Sequence, residues 1–140
     1  MSVASILAPV FVLVLLVYGV LAGLCWSRTV ALARGATTTD DVALGQNVWP
    51  PRATQFGNSY VNQFELPVLF FALVPLVMVT RKADLLFVIL EWLFVLFRIL
   101  HALIHTTSNT VSLRGPAFLA SSVVLAIAWI SFGFEILAGA

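Results

Sequence analysis

The chain is poor in charge. Only 9% of its residues are Asp, Glu, Lys or Arg, against about 25% in an ordinary soluble domain. Seven basic and six acidic residues leave a formal net charge of +1, and no basic block is present to act as a nucleic-acid footprint, so nucleic acid is excluded as a partner. Cysteine is nearly absent as well. Cys25 stands alone, which rules out an intrachain disulfide and any Cys-rich metal motif, and no metal site is expected. Met1–Tyr18 contains no Lys or Arg, whereas a cleaved signal carries a positive n-region, and Leu24, not a small residue, precedes Cys25. The first apolar segment therefore reads as a permanent transmembrane helix with Cys25 as a structural thiol near its end.

What fills the space left by charge is hydrocarbon: 61% of the 140 residues are hydrophobic. About 20 apolar residues at 1.5 Å rise cross a roughly 30 Å hydrocarbon core. Four such runs are found, at about 4–26, 58–79, 84–105 and 113–137. The second contains Pro67 and Pro75, which transmembrane helices tolerate when neighbours satisfy the freed carbonyls. A polar stretch of about 27–57 separates the first two runs, with Arg28, Arg34, Asp40, Asp41 and Arg52 and the sequence Trp49-Pro50-Pro51. The paired prolines are expected to hold extended backbone and to exclude a helix there. Gly35–Asp41 reads as mobile and Trp49–Arg52 as anchored at the membrane surface. The other two connections, around Arg81-Lys82 and Thr106–Ser112, are short. The expectation is an all-α, integral membrane four-helix bundle, up-down-up-down, forming one domain over residues 1–140. Both termini then share a side with Arg81 and Lys82, while Arg28, Arg34, Arg52 and Arg114 lie on the other. The positive-inside rule makes the first loop cytoplasmic, in the inner (cytoplasmic) membrane if the source is bacterial.

Against this background the ionisable residues within the apolar runs stand out, because a charge near the bilayer centre costs roughly 2.5–3.5 kcal/mol on insertion scales. Glu91, Arg98, His101 and His105 are spaced by 7, 3 and 4 and fall within roughly an 80° arc of the third helix. Asn58, Asn62 and Glu65 share a face of the second. Glu65 and Arg98 each lie about seven residues, roughly 10 Å, in from the same side of the membrane. Facing helices would pair them, with Arg114 closing that end of the bundle. Either this is a structural ion pair holding helices or subunits together, or it is a positively charged polar pocket for an anionic or amphipathic ligand. Glu91 and Glu135 lie nearer the opposite surface, Glu91 as hydrogen-bonded or protonated packing.

Asn62-Gln63-Phe64-Glu65-Leu66-Pro67, then Arg98-x-x-His101-x-x-x-His105, then Arg114, resembles the MAPEG family of membrane-associated proteins in eicosanoid and glutathione metabolism. It spans about Arg28 to Ala120. The resemblance implies a homotrimer of four-helix subunits that binds glutathione between neighbours near the cytoplasmic face. It implies that Asn62, Glu65, Arg98, His101 and His105 form the glutathione-binding set. It also implies that Arg114 is catalytic, because a guanidinium beside a thiol favours the nucleophilic thiolate. The implied activity is a glutathione- or thiol-dependent transferase or peroxidase acting on lipophilic small-molecule electrophiles. Three positions depart from the family pattern: Asn58 where many members carry an arginine, Leu66 where an aromatic often follows the glutamate, and His105 at a tyrosine position. These departures favour a rival reading, a non-catalytic membrane subunit that keeps the fold without glutathione chemistry. A second rival, a small four-helix multidrug exporter, requires a proton-coupling glutamate in the first helix, where this chain has no charge.

Overall fold

The computed structural model describes residues 1–43 and 48–139; residues 44–47 of the expected polar loop lie outside it. Six helices follow in order: α1 (Val3–Ala33), α2 (Thr39–Ala43), α3 (Pro51–Asn62), α4 (Leu66–Val79), α5 (Leu85–Thr106) and α6 (Val111–Ala138). Four segments are long and apolar enough to cross a membrane: α1, α3 and α4 taken together over Pro51–Val79, α5, and α6. The described residues contain no strand, and the four-helix membrane bundle stands as expected from the apolar runs.

The long polar loop does not. α1 runs on to Ala33, because the stretch after Trp26 stays largely apolar, packs on α3 and buries Ala31. It ends where Gly35 takes φ +65, with Gly35 N donating to Leu32 O (3.0 Å) and Ala36 N to Ala31 O (3.0 Å). These two bonds close a Schellman cap, in which the residue after the helix turns left-handed and glycine does so without a Cβ penalty. Next comes a capping box. Thr38 N donates to Asp41 Oδ2 (3.0 Å) and Asp41 N donates back to Thr38 Oγ1 (3.2 Å), starting α2. Gly35–Asp41, expected from its composition to be mobile, is thus a chain of caps.

The proline pair also acts differently from expectation. Pro50 is the N-cap of α3 and Pro51 its first residue, where a missing N–H costs nothing and the fixed φ suits a helix. The second crossing therefore starts seven residues earlier than 58. It is also broken. Residues 63–65 leave the helical path between α3 and α4, because Pro67 has no N–H for the Gln63 carbonyl and its ring crowds that carbonyl.

α5 is the most enclosed helix, in contact with α1, α3 and α6. Asp84 caps it, Oδ1 accepting from Phe87 N at 2.7 Å. In the half of the bundle near the Arg81 turn, Leu13, Phe70, Leu73, Val77, Phe94 and Val95 form a dry core, with the Phe70 and Phe94 rings stacked 4.9 Å apart. Around the outside, large apolar side chains such as Leu15, Leu119, Val79 and Leu137 are exposed, as suits a surface that meets lipid or another apolar surface. In the other half the core gives way to polar side chains.

Candidate functional site

The break in the second crossing builds this polar half. Carbonyls in the last turn of a helix lack intrahelical donors, and Asn62 is the last residue of α3. Arg98, wholly buried on α5, supplies the donor. Its Nη2 reaches Asn62 O at 2.8 Å, Asn62 Oδ1 at 2.7 Å and Gln63 Oε1 at 3.5 Å. The Asn62 amide in turn donates to Glu65 Oε2 at 2.5 Å. The direct Glu65–Arg98 pair expected from matched depth is therefore not formed. With the chain broken at 63–65, Glu65 becomes the N-cap residue of α4 and stays exposed, and Asn62 stands between the two charges.

Asn62, His101, His105 and Arg114 line one cavity of about 280 Å³ with Val111, Gly115 and Phe118. His101 and His105 follow Arg98 along the buried face of α5, their rings 5.5 Å apart. Phe118 on α6 lies 5.7 Å from the His101 ring and 6.0 Å from the Arg98 guanidinium carbon. Arg114, half-buried in the first turn of α6, donates through Nη1 to Asn109 Oδ1. Asn109 takes a left-handed φ of 51, a conformation asparagine tolerates better than most residues, which aims its side chain at the start of α6.

The polar inventory of this region is incomplete. Arg98 Nε, Arg98 Nη1, His101 Nδ1 and His105 Nδ1 are buried with no hydrogen-bond partner among the described residues. Buried polar groups in native proteins are almost always paired, and a guanidinium carries only donors. The two free Arg98 groups therefore ask for an acceptor. Arg114 lines the cavity, Arg98 lies buried beside it, and no carboxylate is among its described lining residues, so the cavity favours an anion.

Asn58, where many family members carry an arginine, is exposed on α3 outside this cavity. Arg52, in the first turn of α3, does not line it either. It donates to Thr106 O and stacks on Phe56, 4.7 Å from ring centroid to guanidinium carbon. Gln55 donates to His105 O (2.7 Å) and Thr107 O (3.1 Å), so the first turns of α3 cap the end of α5. Gln63, Gln55 and Phe118 were not singled out from sequence. Gln63 had a legible signal, a polar residue inside an apolar crossing. Gln55 and Phe118 had none, since their roles depend on how α3 and α6 meet α5.

Glu91 is 2% exposed and neither of its oxygens has a partner among the described residues. The hydrogen bond offered for it from sequence is absent, because its neighbours on the buried face of α5 are Phe87, Leu90, Phe94 and Val95.

No curated protein and no solved structure matches the chain. The model of the MAPEG family matches residues 6–134, a span that takes in α2 to α5 whole and all but the ends of α1 and α6. With four membrane-length helices and a match over nearly its entire length, the chain belongs to the MAPEG family.

Proposed function

We propose that this protein is a thiol-dependent transferase or peroxidase of lipophilic electrophiles, with glutathione as the thiol, at a site completed by a neighbouring copy in a homotrimer. The observation that carries the reading is the pair of unsatisfied Arg98 donors beside a cavity that also holds Arg114. Glutathione fits this donor set, since it brings two carboxylates and several peptide oxygens. It supplies the sulfur nucleophile, which forms a C–S bond as the electrophile's leaving group departs with its electron pair. Arg114 favours the thiolate electrostatically. Arg98 binds a carboxylate or peptide oxygen, Asn62 keeps Arg98 and Glu65 in register, and Glu65 takes the cationic amine. His101 and His105 hold the cavity wall and supply polar contacts at its floor. The excess of basic residues on the first-loop side supports a cytoplasmic mouth, where a soluble thiol is at hand.

The test is saturable glutathione binding to purified protein in detergent, followed by calorimetry. Millimolar glutathione is expected to bind, and Arg98→Ala to abolish binding. Arg114→Ala is expected to retain most affinity while conjugation of a model electrophile falls at least about tenfold, a loss of roughly 1.4 kcal/mol in transition-state stabilisation. No saturable binding at millimolar thiol removes the reading.

A non-catalytic membrane subunit is the second reading. One observation favours it: Arg114 is clamped by Asn109, a contact that suits a helix-start strut as well as a thiol activator. Isolation in fixed stoichiometry with a larger complex, with Arg114→Ala assembling normally, decides for it.

A further inference from the structure

The polar set on α5 has a neighbour one residue on. Ile99, Ala102 and Thr106 each follow a member of the Arg98, His101, His105 set, which turns them about 100° around the helix. There they line a second cavity, of about 450 Å³, together with Leu15, Gly19 and Phe56. It lies between α1, α3 and α5, so α5 presents a different face to it from the one it turns to the thiol cavity. Its walls are almost wholly apolar.

Toward the first-loop side, Phe56 also lines a further cavity of about 380 Å³ with Trp26, Ser27, Arg34 and Arg52. Phe56 is set deep against α1 because residue 23 is glycine; a Cβ there would collide with the ring. The two cavities thus adjoin at Phe56 and succeed one another along α1, Val12–Val20 on the first and Gly23–Arg34 on the second, in one elongated path. Its inner part is hydrocarbon-like and its outer part carries two guanidinium groups beside an exposed tryptophan, a residue typical of the headgroup level. Among the described residues no carboxylate lines either part. Arg52 spends one nitrogen on Thr106 O and lays its face on Phe56, which holds the group in place and leaves its remaining donors unengaged among the described residues.

We infer that this path is a binding site for an anionic phospholipid, one acyl chain lying along Gly19 and Ala102 and the phosphate held between Arg34 and Arg52. Guanidinium pairs match phosphate geometry by paired N–H donors, and basic pockets between membrane helices on the anionic leaflet are where such headgroups bind. The site is independent of the thiol chemistry, because it lies on a different face of α5 and shares no lining residue with that cavity.

Native mass spectrometry of the purified full chain, titrated with dioleoyl phosphatidylglycerol or dioleoyl phosphatidylcholine, tests this. Phosphatidylglycerol is expected to bind several-fold more strongly, and the double variant Arg34→Gln/Arg52→Gln to bring the two lipids level. Gly19→Leu probes the other end. A Cβ at Gly19 meets nothing within 4 Å, so the new side chain fills the groove without displacing the fold, and it is expected to lower occupancy by both lipids. Free glycerol 3-phosphate at the same concentration is expected not to displace the lipid. Equal binding of the two lipids by the native chain overturns the inference, as does a preference that survives the double variant or displacement by free glycerol 3-phosphate. A Gly19→Leu protein that changes only its oligomeric state assigns the groove to a second copy and likewise overturns it.

Discussion

At the scale of single residues, the most consequential contact is between Arg98 and Asn62. A charge-assisted bond to a carbonyl left over by a broken helix joins α5 to the second crossing. Hydrogen bonds to charged groups contribute about 1.5–3 kcal/mol in water-soluble proteins, and interhelical polar pairs in membranes measure lower. A double-mutant cycle of Arg98→Ala and Asn62→Ala, read by unfolding in mixed micelles, is expected to give a coupling of about 1 kcal/mol or more; additive losses would remove the clamp. A smaller device sits outside the bilayer. The hydrogen bonds from Thr38 hold the Asp41 carboxyl below the usual carboxylate range. A carboxyl whose folded value is lowered stabilises the fold above its unfolded value and stops doing so as pH falls through the folded one. Protection of the Thr38 amide from hydrogen exchange is therefore expected to persist through neutral and mildly acid pH and to vanish below the ordinary aspartate range. In Asp41→Asn it is expected to be independent of pH across that window.

At the scale of elements, helices were legible where apolar length decides and illegible where caps decide. The four crossings follow from hydrophobicity alone. The true ends of α1 and α3 depend on Gly35 and on Pro50-Pro51, whose composition is that of a loop but whose positions are those of a C-cap and an N-cap. Gly35→Ala is expected to destabilise by about 1–2 kcal/mol, because φ +65 forces a Cβ against the following carbonyl. A thermal unfolding midpoint unchanged in that variant would mean the cap contributes nothing. The candidate site was legible as a set of residues but not as a set of bonds. Helical phase gathered Arg98, His101 and His105 correctly onto one buried face. It paired Arg98 with Glu65 because it treated the second crossing as one straight helix, and Pro67 makes it two. Pro67→Ala is expected to restore an N–H to the Gln63 carbonyl and slow hydrogen exchange across residues 64–67. The same change is expected to weaken thiol binding, since Asn62 would no longer end a helix.

At the scale of the whole molecule, one chain leaves matters unfinished. Glu65 is exposed beside the most buried polar cluster, at a depth where lipid is a poor neighbour for a carboxylate. An assembly of copies would cover it, and a homotrimer is the expected mass in detergent by light scattering; a monodisperse monomer that binds thiol would contradict this. The joint between α3 and α4 has a further consequence. A guanidinium is flat and stiff, and that of Arg98 grips the joint through one nitrogen while its other two nitrogens have no partner among the described residues. Whatever occupies those two nitrogens fixes the plane of the group, and so fixes the angle at which the crossing bends. The bend and the binding event are then two readings of one hinge. Spin labels on either side of it would report occupancy as a narrowed distance distribution, without touching the ligand at all.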